Sequence, residues 1–145
     1  MIDFFKHPLF LLGLLLRLTL IFFIASEAVT AWYLPFMNLS ISEFTFDPWA
    51  TWLGQGGDPA AFPYGYAMWL ILLPVNIVLG LTNIPLIYSY FFTLLLVDTM
   101  LLLLLNELIE KRKLFLIIGY WLSPVVIIAS YGLGLNDLIP TLLLM

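Results

Sequence analysis

Cysteine is absent from this chain of 145 residues, and histidine occurs once, as His7. The first absence excludes disulfides, thiolate metal sites, CxxC redox chemistry and cysteine nucleophiles. The second leaves no material for Ser-His-Asp catalysis or a multi-histidine zinc site. Charge is scarce too: five Lys+Arg and nine Asp+Glu make up 10% of the residues and leave a formal net charge of −4. So little base, with no basic stripe, excludes nucleic acid as a partner. What fills the chain instead is hydrophobic residues, 63% of the sequence, with aromatics alone making up 17% of it, and the mean hydropathy is +1.11. Soluble domains carry ~25% charged residues, so this composition predicts an integral membrane protein.

The expected fold class is all-α and membrane-integral, with three to four transmembrane helices plus an interfacial helix in a large first outer loop. Residues 9–28 form the first apolar run, opened by Lys6-His7-Pro8, with proline suited to the first helical position. The run is longer than a signal-peptide core of ~7–15 residues and contains Arg17, so it reads as a transmembrane helix. Residues 29–85 read as an outer loop rich in aromatics and acids, including the turn Gly56-Gly57-Asp58-Pro59. Within it, residues 66–81 are apolar but interrupted by Pro74 and Asn76, too short and broken for a confident span. Residues 86–108 form a clean second span whose one charge before the closing Asn106-Glu107 is Asp98, and residues 114–131 form a third with Pro124 inside. From Leu138 a fourth run begins, whose eight residues to Met145 cannot cross ~30 Å of hydrocarbon. On that ground the chain is expected to need further helices or a second membrane subunit.

Positive charge orients the arrangement. Lys6 and the turn at 110–113 are the strong positive flanks, so both are expected in the cytoplasm. That parity works if 66–81 lies in the interface, and it puts Glu27, Asp47, Asp58 and Asp137 on the outer or luminal side.

Several residues could carry chemistry. Arg17 lies ~12 Å and Asp98 ~15 Å from the inner ends of their helices at 1.5 Å per residue, a matched depth with opposite sign. An isolated charge near the bilayer centre costs at least ~2.5–3.5 kcal/mol, so the two are expected to form a structural ion pair; Arg17 could also hold a lipid phosphate. Asp47, followed by Pro48-Trp49, has the character of an N-cap, and equally of a general base at the membrane boundary, bordered by Trp49, Trp52 and Tyr64. Glu27 could share that work or simply mark where the first helix meets water. Asp58 reads as turn chemistry. Asn136-Asp137 could ligate a hard cation such as Mg²⁺ or Mn²⁺, or Asp137 could cap the helix that follows.

The order of these features resembles the N-terminal part of the GT-C superfamily of polyprenyl-phosphate-dependent glycosyltransferases, particularly its mannosyl- and glucosyltransferase-like members. The resemblance rests on an arginine-containing first helix, Asp47-Pro48-Trp49, the Gly-Gly-Asp-Pro turn and Phe62-Pro63-Tyr64-Gly65-Tyr66. It continues through Val97-Asp98 and Ser123-Pro124 to the stretch from Ser130 to Pro140, which contains Gly134-Leu135-Asn136-Asp137. It implies transfer of a sugar from a polyprenyl-phosphate donor to a hydroxyl acceptor on the outer face, by an inverting displacement. Carried over by position, the catalytic acid falls on Asp47 or Glu27, substrate contacts on Tyr64, Tyr66, Trp49 and Arg17, and a metal on Asp137 with Asn136. The implied partners are membrane lipids and a lipid-linked sugar, and the chain alone is expected to be inactive without the later helices. The alternative expectation is a non-catalytic small membrane protein, a flippase-like element or assembly subunit.

Overall fold

The computed structural model describes residues 5–82, 84–109 and 113–145. Every regular element among them is a helix. In chain order these are α1 (Pro8–Phe23), α2 (Ala28–Ser42), α3 (Pro48–Gly54), α4 (Gly65–Gly80), α5 (Ile87–Leu108), α6 (Lys113–Trp121), α7 (Pro124–Gly132) and α8 (Leu138–Leu144). Lys113 of the basic turn opens α6, whereas residues 110–112 lie outside the described residues. α5 is long and apolar enough to cross a membrane by itself, and α1 with α2 and α6 with α7 would each reach that size only as interrupted pairs.

The chain divides into two compact units, one formed by Met1–Ala25 with Leu94–Met145 and the other by Ser26–Thr93. In the first, α1 starts where His7, in extended backbone, accepts from the Leu9 N–H through its Nδ1 at 3.3 Å, and Pro8 follows at N1. α1 ends at Phe23 rather than at residue 28, because Ile24 turns extended at φ −118° and ψ 123°. A core of Phe10, Leu102, Leu116, Ile117 and Trp121 joins α1 to α5 and α6. Phe10 stacks on Trp121 at 4.8 Å, and the indole N–H donates to the Phe10 carbonyl at 2.9 Å. Gly13 permits this approach: a Cβ there would lie 2.4 Å from the Trp121 indole.

The expected single helix over 114–131 is broken. Ser123 is forced extended (ψ 119°) by the proline after it, and α6 and α7 meet there at a 45° bend. Both halves relax into π-helical turns, Ile117–Trp121 and Ile128–Gly132.

The second unit is held by rings. Phe36 stacks on Phe62 at 4.7 Å, and Tyr33 meets Tyr90 at 4.5 Å. Trp49 and Trp52 tie the α3 region to its surroundings by donating from their indole nitrogens to the carbonyls of Phe62 and Asp58, each at 2.8 Å. Most of the expected loop over 29–85 is therefore helical. α4 runs unbroken through Pro74 for 16 residues, about 24 Å. Asn76 does not interrupt it because its amide turns inward, donating to the Leu72 carbonyl at 2.7 Å and accepting from the Ser89 hydroxyl at 2.6 Å.

Candidate functional site

The most elaborate polar arrangement lies in the first unit, around a fully buried ion pair. Arg17 Nε donates to Asp98 Oδ2 at 2.7 Å, both side chains having no exposed area. Tyr120 donates its hydroxyl to Asp98 Oδ1 at 2.6 Å and Tyr131 donates to Oδ2 at 2.9 Å. The carboxylate thus accepts one charged and two neutral donors, the condition under which a buried anion is tolerated. Other groups hold the guanidinium from further directions: Nη1 donates to the carbonyls of Trp121 at 2.6 Å and Gly13 at 3.1 Å, and its carbon lies 3.7 Å above the Trp121 ring. The Trp121 carbonyl belongs to the last residue of α6, just before the break, so the cation satisfies an acceptor that the interrupted helix leaves open and sits at a favourable helix C-terminus. Arg17 Nη2 has no partner among the described residues.

Tyr120, Tyr131 and Trp121 escape notice in the sequence because aromatic residues in an apolar run read as packing or interface residues. The eleven-residue spacing of Tyr120 and Tyr131 would give a shared face only in an unbroken helix, and the break at Ser123 with its 45° bend lies between them. With its side chain enclosed, Arg17 presents no surface to a lipid phosphate in this arrangement. Beside the break an open apolar groove of about 290 Å³ runs between Leu16 and Leu20 of α1 and Pro124 and Ile127 of α7, with Thr19 its polar lining residue.

The exposed carboxylates have simpler surroundings. Asp47 adopts a non-helical backbone (φ −128°, ψ 79°) and accepts from the Ala50 N–H through Oδ1 at 3.0 Å, capping α3. Trp49, two residues on, meets the Tyr66 ring edge at 4.7 Å, and the Tyr66 hydroxyl donates to the carbonyl of Phe46 at 2.9 Å. Asp47, Trp49 and Tyr66 therefore form one assembly in the second unit. Tyr64 is exposed and touches Phe62 edge to face at 5.4 Å. Glu27 is exposed at the start of α2 and makes no capping bond. Asp58 accepts from the Ala60 N–H at 2.8 Å, as turn chemistry requires.

Asp137 corrects one expectation. It stands at the N-cap position of α8, but its side chain makes no capping bond, because its backbone is already helical (φ −60°, ψ −17°). A capping side chain needs a non-helical backbone such as Asp47 has. Asp137 is exposed, and its neighbour Asn136 is buried. Among the described residues no three His, Asp or Glu side chains gather into a metal-binding group. A carboxylate and an adjacent amide oxygen suit Mg²⁺, which takes one or two protein ligands and completes its shell with water and phosphate.

No protein-family model, no curated protein and no solved structure matches this chain.

Proposed function

We propose that the chain is a multi-pass membrane protein and the N-terminal portion or a subunit of a GT-C-like glycosyltransferase, moving a hexose from a polyprenyl-phosphate donor to a hydroxyl acceptor. Residues 29–85 face the outer or luminal side, with α4 in the interface, and the N-terminus and the turn at 110–113 face the cytoplasm. The observation that carries the reading is Asp47: an exposed carboxylate, held in place by its cap through one oxygen, beside Trp49 and Tyr66 in a segment without a single Lys, Arg or His from residue 26 to residue 93. Such a group can accept the proton of an acceptor hydroxyl. As that proton moves to Asp47, the hydroxyl oxygen bonds to the anomeric carbon with inversion, and the bond from that carbon to the phosphate oxygen breaks. Trp49, Tyr64 and Tyr66 offer ring faces to a sugar. If the reaction uses a divalent ion, Asp137 with Asn136 is the pair in this chain whose donors would suit it.

The test is hexose transfer from a polyprenyl-phosphate sugar in native membranes, where the chain sits with the helices or subunit it is expected to need. Asp47→Asn is expected to lower the rate by ~10²–10⁴-fold. Wild-type rates in Asp47→Ala, Glu27→Ala and Asp137→Ala alike would overturn the reading.

A further inference from the structure

Between α2 and α3 the chain reads Glu43-Phe44-Thr45-Phe46-Asp47. Alternation in a short non-helical stretch puts the two phenylalanines on one side, and their rings meet at 6.2 Å. Both are exposed, Phe44 by 58% and Phe46 by 90%, the highest value for any large apolar side chain described. The stretch is nevertheless pinned at every residue. Gln55 donates to Glu43 at 2.9 Å, and Phe44 stacks on the buried Trp69 at 6.1 Å. Thr45 shares a hydrogen bond with Thr51 at 3.2 Å, Tyr66 holds the Phe46 carbonyl, and Asp47 caps α3. A rigid projection of two phenylalanine rings into water would be unfavourable.

The exposed side of α4 continues the same apolar character. Tyr66, Leu70, Ile77 and Val78 are all exposed, and a helix that shows apolar residues on its outer side as well as its inner one requires a non-aqueous surrounding. Charge then selects the occupant. With carboxylates on either side of the rings and no base between residues 26 and 93, the patch has nothing to offer an anionic partner, and flanking acids limit how deep the rings can go. We propose that Phe44 and Phe46 form a wedge that seats residues 43–47 at the headgroup–acyl boundary of a bilayer, through aromatic partitioning and not through charge. The inference rests on the membrane reading above and adds to it the anchoring residues and the independence from lipid charge.

Absence of native cysteine allows single-site spin labels on the full chain in phosphatidylcholine nanodiscs. Labels at Ser42→Cys, Ala60→Cys and Leu96→Cys, all exposed positions, report depth as accessibility to oxygen relative to a water-soluble nickel chelate. The expected result is a hydrocarbon value at 96, an aqueous value at 60 and an intermediate value at 42 that returns to the aqueous value in the Phe44→Ser/Phe46→Ser variant. Neither salt nor a quarter of anionic phosphatidylglycerol should deepen position 42. An aqueous value at 42 with a hydrocarbon value at 96 overturns the wedge alone, whereas an aqueous value at 96 overturns the membrane reading. Exclusion of both reagents at 42 means a protein or glycan covers the patch and also overturns the wedge, as does a value at 42 that the double serine variant leaves unchanged.

Discussion

The two units solve the same problem, holding polar groups in an apolar chain, by opposite means. The Arg17 unit encloses one cation and one anion and surrounds them with two phenols, an indole and two backbone carbonyls. The aromatic unit, residues 26–93, has no cation to pair, so its carboxylates stay at the surface and its interior is joined by rings and by indole N–H groups on carbonyls. Buried charge gives orientation, because a guanidinium has one geometry that satisfies a carboxylate and a helix end together. Ring packing gives area without directionality and leaves acids free for chemistry. The first unit accordingly has the character of a lock, and the second that of a surface.

The strongest way to break this contrast is to open the lock. Asp98→Ala strands a buried guanidinium and two phenols, and it should cost ~3–5 kcal/mol of stability, read as reversible unfolding in bicelles. Replacing both partners, Arg17→Leu with Asp98→Leu, should recover much of that loss, since no charge is then left unpaired. Strictly additive losses would show that the two residues act separately.

A smaller effect is expected from Gly13→Ala. The added Cβ would lie 2.4 Å from the Trp121 indole, which cannot retreat without losing its bond to the Phe10 carbonyl. Overpacking of this kind costs ~1–3 kcal/mol, measured by the same unfolding. In the aromatic unit, Trp49→Phe removes one donor and trims a half-buried indole to a single ring, so the loss should be only ~1–2 kcal/mol. A loss as large as that of Asp98→Ala would mean that directional bonds dominate both units.

How far these features were legible before the structure differs by kind. Arg17 and Asp98 could be paired from depth and sign alone, because a lone charge in hydrocarbon has few alternatives. The phenols that complete the pair were hidden inside an apolar run, and the break between them at Ser123 removes any regular helical spacing that could mark them. Helix existence followed the apolar runs, as α5 illustrates, but breaks did so only where proline enforced them, at Ser123-Pro124. The end of α1 at Phe23 has no glycine or proline to signal it, and the π-helical turns have no sequence mark at all. Residue type also failed to separate Asp47 from Asp137. Both precede helices, yet only the backbone angles decide which side chain can reach an N–H.

That last difference supplies the finest test of whether the second unit's acids serve structure or chemistry. At Asp47 the two roles use different properties of one side chain: the cap needs an oxygen acceptor, whereas a general base needs a titrating carboxylate. Asparagine caps as well as aspartate, so Asp47→Asn should leave stability unchanged while removing the base. Asp47→Ala removes both and should cost ~0.5–1 kcal/mol as α3 loses the Ala50 N–H acceptor. At Asp137, where no cap exists, Asn and Ala should be indistinguishable in stability. If transfer falls equally in both Asp47 variants while stability falls only in the alanine, the carboxylate itself is required for the reaction. If transfer tracks stability instead, Asp47 is a cap and nothing more, and the exposed acids of the aromatic unit lose their best claim to chemistry.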